Sequence, residues 1–189
     1  MDTILIDCKD VILREFLVSD LDPFHALTWQ PEIYEYLPGW NVPKEQREDW
    51  FMNYELPENE QFFNAVSQGA DIGDIRLRLG IILKETGDFI GWCCSGIKDE
   101  LPAPNREIMY AISKDHRGKG YTTQAAQGMI NYLFENTNVE TLSAVALLHN
   151  EPSNRVIQKC RFDLQGIVEI DDEKYNHYRL NKHDWTAKQ

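Results

Sequence analysis

The stretch Asp115-His116-Arg117-Gly118-Lys119-Gly120-Tyr121-Thr122-Thr123 decides how this chain is read. It lies between an apolar run, Arg106–Ser113, and the most regular helical pattern in the sequence. In that pattern Ala125, Ala126, Met129, Ile130, Leu133 and Phe134 recur at helical spacing as one continuous stripe. Two glycines at a strand-to-helix junction let successive backbone N–H groups converge, and the helix N-terminus adds partial positive charge. Such a junction is suited to a pyrophosphate, and Arg117 and Lys119 bring charge to the same place. Two nucleotide loops are excluded by spacing. A Walker loop fails because Tyr121 follows Gly120, and a dinucleotide fingerprint fails because Thr123 occupies the third glycine position.

Working outward, Val11–Phe16 alternates apolar and polar residues and predicts a strand. Ser19, Asp20, Asp22 and Pro23 mark a helix entry. Pro31, Pro38 and Gly39 cut the following segment into short helical pieces. Pro43 to Asn53 predicts another helix, which Glu58–Gln68 continues beyond Pro57. Arg76–Lys84 and Asp88–Ile97 are β runs joined by Glu85-Thr86-Gly87, a hairpin signal. After the helix that follows Gly120, Val139–Leu148 predicts a buried strand and Pro152–Cys160 a short helix. Leu164–Ile170 and Lys174–Leu180 bracket Asp171-Asp172-Glu173 as a last hairpin. The order β-αα-βββ-α-β-α-ββ predicts an α/β (α+β) chain, residues 1–189 forming a single domain with a mixed sheet and helices on both faces.

Composition narrows the class. With 189 residues and 42% hydrophobic content the chain can bury one core. Its four cysteines include no C-x-x-C pair, and Cys93 and Cys94, adjacent in a predicted strand, point to opposite faces. Met1–Asp10 lacks the basic-then-apolar order of a signal peptide, and apolar runs stop at about five residues, far below a bilayer span. The expectation is a soluble cytoplasmic protein. A net charge of −12 disfavours nucleic acid and anionic membranes as partners. That charge is uneven: residues 1–60 hold 14 acids and 4 basic residues, whereas 105–189 hold 11 of each. Either the acids form solvated helix faces, or an acidic half meets a cationic ligand and a neutral half an anionic one.

The chain resembles the GNAT N-acetyltransferases, within them the branch that includes the ribosomal-protein-alanine N-acetyltransferases. Arg117-Gly118-Lys119-Gly120-Tyr121-Thr122 resembles the family's [QR]-x-x-G-x-[GA] acyl-CoA loop. Asn150-x-x-Ser153-x-x-Val156-x-x-Lys159-x-x-Phe162 resembles the branch pattern N-x-x-S-x-x-V-x-E-K-x-G-F. Val11-Ile12-Leu13-Arg14 before Asp20 resembles the opening strand, and Phe89-Ile90-Gly91 with Glu107-Ile108 the central strands. The chain departs from the pattern at Met109, Thr122, Gln124, Gln158 and Arg161, and Ile157 stands where many members carry a tyrosine.

The resemblance implies a single GNAT-like domain: a mostly antiparallel sheet of about six to seven strands whose splayed central strands form an acyl-CoA cleft. Residues 1–70 would be the acceptor side and 105–162 the acyl-CoA-binding core. It implies acetyl transfer from acetyl-CoA, without a metal, to a primary amine by direct attack in a ternary complex. The acceptor would be a protein N-terminus or a small cationic amine. The alternative is an acyl-CoA-binding sensor with little activity. Gly118, Lys119, Gly120, Tyr121, Thr122 and Thr123 would hold coenzyme A with Arg117. The Ile112 backbone would face the thioester oxygen, and Asn150 and Ser153 would complete the cofactor site. Glu107 is the candidate base, or else a strand-edge carboxylate paired with Arg106 or another cation. Ser153, with Tyr110 as second choice, would protonate the thiolate; Ser153 is equally an N-cap for the 152–160 helix. His116, His149 and His177 lack metal-ligand spacing and are expected in turns or on the surface. Trp29, Tyr34, Tyr36 and Trp40 either pack locally or wall the acceptor site. The final hairpin offers a dimer edge, so both monomer and homodimer are open.

Overall fold

The computed structural model describes residues 5–187. It contains β1 (Leu5–Asp7), β2 (Val11–Glu15), α1 (Leu21–Thr28), α2 (Pro31–Tyr34), α3 (Lys44–Trp50), α4 (Leu56–Ser67), β3 (Leu77–Leu83), β4 (Phe89–Ile97) and β5 (Arg106–Ile112). Then follow α5 (Tyr121–Asn136), β6 (Thr141–Leu147), α6 (Glu151–Lys159), β7 (Asp163–Ile170), β8 (Glu173–Asn181) and α7 (Lys182–Thr186). One eight-stranded sheet runs in the order β1-β2-β3-β4-β5-β6-β8-β7. The strand beyond the expected six to seven is β1, whose three residues are too short to show an alternating pattern. Met1–Ile4, part of the N-terminal stretch read above, lie outside the described residues.

Strand alternation divides the core into two layers. Cys93, Ile108 and Ile112 face the stripe of α5 at Ala125, Met129 and Leu133. Trp92, Cys94 and Ala111 face Phe16, Phe24, Ile33 and Phe51 on the other side. Cys93 and Cys94 therefore part to opposite faces, and burial raises both thiols, Cys94 to about 12. The helical stretch from Lys44 does not break before Pro57. Leu56 N–H donates to the Phe51 carbonyl five residues back, and the π-helical turn Phe51–Glu55 carries the chain into α4. Pro57 has no N–H for the Asn53 carbonyl, and a widened turn accommodates that missing donor.

Every neighbouring pair in the sheet is antiparallel except β5 and β6, between which α5 makes the crossover. Those two strands meet only at Glu107↔Ser143 and then diverge. At the far edge, β7 and β8 turn through Asp171 and Asp172, both at positive φ (51° and 63°), as a two-residue hairpin demands. Among the described residues no helix is long and apolar enough to cross a membrane.

Candidate active site

The divergence of β5 from β6 opens a cleft of about 620 Å³ that the glycine loop and α6 complete. Ser113 N–H donates to the Ile90 carbonyl at 2.8 Å, so odd-numbered residues of β5 direct their N–H groups to β4. By alternation the N–H groups of Ile112 and Tyr110 face the cleft. At the loop, Gly118 and Gly120 take φ of 75° and 81°, a left-handed conformation that favours glycine. Gly120 is the N-cap of α5, and no side chain caps that helix among the described residues. The first-turn amides of Tyr121, Thr122 and Thr123 are thus without intrahelical acceptors and open onto the cleft. These donors, at a helix start with a positive dipole end, fit an anionic pyrophosphate. Arg117 lines the cleft too, with one guanidinium nitrogen donating to the Glu32 carbonyl at 2.5 Å. Gln30 adds a second tie, accepting from Lys114 N–H at 2.9 Å and donating to Ser113 Oγ at 3.3 Å. The segment around α2 and the glycine loop are therefore one unit.

Tyr110 and Ser153 meet across the cleft. The Tyr110 hydroxyl lies 3.1 Å from the Ser153 carbonyl and 3.2 Å from Ser153 Oγ. Burial holds the Tyr110 phenol far above its ordinary range, the Ser153 hydrogen bond pulling the other way. Ser153 is not the N-cap of α6. That role belongs to Asn150, whose Oδ1 accepts from Ser153 N–H at 3.2 Å, leaving the Asn150 amide nitrogen able to donate into the cleft. The Ser153 hydroxyl is correspondingly free of capping.

Glu107 stands at the junction of this cleft and a second cavity of about 550 Å³. Trp40, Lys98, Glu107 and Met109 line both. Burial pushes the Glu107 carboxyl up to about 7; Lys98 and Arg76 pull it down and Glu100 adds to the rise. The adjacent Arg106 does not pair with it, donating instead to the Gly73 and Ile75 carbonyls at 2.6 and 3.1 Å. The second cavity is walled by Trp40, Trp50 and Tyr54, by four cations (Arg47, Arg76, Arg78, Lys98) and by four acids (Glu55, Asp99, Glu100, Glu107). Arg47, 1% exposed, pairs with Glu55 at 3.1 Å and lies over the rings of Phe24, Trp40 and Trp50. Burial drives the Glu55 carboxyl up and the Arg47 guanidinium down, each partly restored by the other.

Of the catalytic and cofactor-binding candidates read from sequence, all line the cleft except Lys119, which is exposed and outside its wall. Of the acids in residues 1–60, among the described residues, Glu55 lines the second cavity and Glu32 the cleft. His177 is also not a surface residue. It is 5% exposed, with Nε2 3.5 Å from Ser143 Oγ. The aromatic cluster splits. Trp40 stacks on Trp92 at 5.4 Å and walls both cavities, Tyr36 lines the cleft, and Trp29 is exposed. Sequence reasoning missed Arg47, Arg76, Arg78 and Lys98, which come from three distant segments. The one local signal was Gly96, a glycine inside a strand opposite Glu107.

The family model described as acetyltransferase (GNAT) domain matches residues 10–163. The uncharacterized N-acetyltransferase p20 of Bacillus licheniformis is 33% identical over 56% of this chain and 64% of its own length. The uncharacterized N-acetyltransferase YnaD of Bacillus subtilis is 23% identical over 96% of this chain and 99% of its own. The crystal structure of ribosomal-protein-S5-alanine acetyltransferase from Vibrio fischeri superimposes with a TM-score of 0.73 at 15% identity, covering 96% of this chain and 98% of that one.

Proposed function

The chain belongs to the acetyltransferase (GNAT) family, acyltransferases that draw on acetyl-CoA, and from that premise we propose that it acetylates a primary amine by direct transfer. The observation that carries the proposal is Glu107, a carboxylate at the one place where a cleft fitted to coenzyme A meets a second, solvent-reaching cavity. The amides of Tyr121–Thr123 and the Arg117 side chain hold the pyrophosphate, and the cleft-facing edge of β5 and the Asn150 amide hold the arm that follows it. Acetyl-CoA supplies the acetyl group as a thioester. Glu107, ionised above about pH 7, takes one proton from the acceptor ammonium so that the amine can attack. The Ile112 N–H, facing the cleft, stabilises negative charge on the carbonyl oxygen. As the N–C bond forms and the C–S bond breaks, Ser153 passes its proton to the departing sulfur and Tyr110 holds the Ser153 hydroxyl in place. The second amine proton replaces the one Ser153 gives up and Glu107 releases the first, so one leaves to solvent and one ends on the thiol. Ile157 lines the cleft without a transferable proton, and the Ser153–Tyr110 pair lines the same cleft with hydroxyl protons to offer, which supports that role. The test is free-thiol release from acetyl-CoA over a panel of primary amines, with calorimetry of acetyl-CoA binding run in parallel. Binding with amine-dependent release is the expected outcome. Binding with only slow, amine-independent hydrolysis would make the protein an acyl-CoA sensor.

A further inference from the structure

Glu107 and Arg76 occupy one row of the sheet with a glycine between them. Gly96 pairs with Glu107, and Leu77 pairs with Ser95, so Arg76, one residue before β3, comes opposite Gly96. Residues on such a row project from the same face, and two strand spacings separate Arg76 from Glu107 by roughly 10 Å at the Cα level. The space that a side chain at Gly96 would fill is taken by Arg76 itself. A Cβ placed on Gly96 would meet Arg76 Cγ at 2.8 Å and Nε at 3.2 Å. The guanidinium is therefore laid across β4 toward Glu107, and both groups line the same cavity.

Arg76 is the spare cation of that cavity. Arg78 is engaged by Glu58 at 2.6 Å, Arg47 by Glu55 at 3.1 Å and Lys98 by Glu100 at 3.7 Å. Among the described residues the Arg76 guanidinium takes part in no ion pair and no hydrogen bond, with Glu107 or with any other carboxylate. A carboxylate that receives ammonium and an uncommitted guanidinium thus share one wall, a few side-chain lengths apart. Their complement is a molecule with an amine and an anion close together. A polyamine would set its second ammonium against Arg76, and a chain N-terminus has a neutral amide where the guanidinium requires charge.

We propose that the acceptor is a free amino acid, its amine at Glu107 and its carboxylate on the Arg76 guanidinium. This rests on the acetyl-transfer function proposed above. The experiment follows thiol release at about pH 8 with matched acceptors: amino acids, their carboxamides and the corresponding decarboxylated amines. Ionisation biases the comparison against the expected result, because an α-amine beside a neutral amide deprotonates more readily than one beside a carboxylate. The free amino acids should nonetheless show KM values roughly tenfold or more below those of their carboxamides, the scale of a charge-assisted hydrogen bond. Arg76→Gln should raise KM for the amino acid by a similar factor and leave KM for acetyl-CoA and for the carboxamide unchanged. Arg76→Lys should recover part of the loss. Carboxamides or decarboxylated amines that serve equally well, or a preference that survives Arg76→Gln, overturn the acceptor class while acetyl transfer stands. Acetyl-CoA binding with no thiol release for any amine overturns the transfer itself, and this inference with it.

Discussion

The two cavities that join at Glu107 are made of different material. The cleft between β5 and β6 is built largely from backbone: uncapped amides at the start of α5, the edge of β5 beyond its single pairing with β6, and a loop whose left-handed turns use Gly118 and Gly120. The second cavity is built from side chains, in which Arg47, Arg76, Arg78 and Lys98 converge with four acids and three aromatic rings from separate segments. Backbone sites need particular residues at consecutive positions, because φ and hydrogen-bond direction are local properties. Side-chain sites need only that distant residues arrive at one place. A single family can therefore keep the first nearly constant and rebuild the second, which here pairs charges in equal number although residues 1–60 are strongly acidic.

Glu107 touches both cavities, and its replacement separates them most sharply. Glu107→Gln should lower turnover near neutral pH by roughly a hundredfold to ten-thousandfold, the range of a lost general base, with acetyl-CoA affinity by calorimetry unchanged. In the wild type kcat/KM should rise as pH climbs through about 7, where the carboxyl ionises, and that limb should vanish in the variant. Stability runs the opposite way. The folded carboxyl titrates near 7 and an unfolded glutamate at about 4.3, so between those values the folded chain keeps a proton that the unfolded chain has released. The stabilisation is present below the lower value and is lost as pH rises through the upper one. Glu107→Gln should accordingly gain melting temperature relative to wild type over that window and hold the gain above it. A loss of acetyl-CoA binding in the variant would break the division between the cavities.

The Arg47–Glu55 pair tests whether the side-chain-built cavity has its own structural cost. With Arg47 1% exposed, Arg47→Met leaves Glu55 buried without its cation and should destabilise by about 3 kcal/mol or more. The loss should shrink at acid pH, where the Glu55 carboxyl, already pushed up by burial, becomes neutral. Arg47→Met combined with Glu55→Leu should recover most of it, since an apolar pair of similar volume avoids the desolvation of two charges. Urea unfolding with an unchanged m-value is the measurement. A small effect of the single variant would mean that water or a neighbour satisfies Glu55 as well as Arg47 does.

The same contrast explains what could be read from the chain. Period and turn chemistry located α5, the β3–β4 hairpin and the final hairpin within a residue or two. The glycine loop and the Asn150-x-x-Ser153 spacing picked out residues that line one cleft. The continuous helical run from Lys44 to Ser67 was harder, because a π-helical turn accommodates a proline that would otherwise end a helix. Gln124, a departure from the family pattern, has a local reason visible only in three dimensions. Its side-chain oxygen accepts from the Asp10 N–H at 2.8 Å and its nitrogen donates to the Asp10 carboxylate at 2.7 Å. A glutamate there would set carboxylate against carboxylate. The second cavity left almost no trace in sequence, since its residues are far apart and each has an ordinary surface or core role when taken alone.

Arg161 tests whether the half of the chain around the β5–β6 cleft is governed by backbone even where the glycine signal has gone. It follows α6 at the position where the family pattern has glycine, and it keeps the left-handed conformation at φ 65°. Arg161 N–H donates to the Gln158 carbonyl at 2.9 Å and Phe162 N–H to the Ile157 carbonyl at 3.3 Å, closing the helix end. The guanidinium lies 5.4 Å from the centre of the Trp185 ring, a contact that offsets part of the backbone strain. Two variants separate these contributions. Arg161→Ala removes the ring contact and retains the strain of a β-carbon in that conformation, whereas Arg161→Gly removes both. The glycine variant should therefore be the more stable of the two by about 1 kcal/mol, read from paired urea melts. Equal stability would show that the turn relaxes once the arginine is gone, and that the Trp185 contact, not the helix end, holds the backbone there.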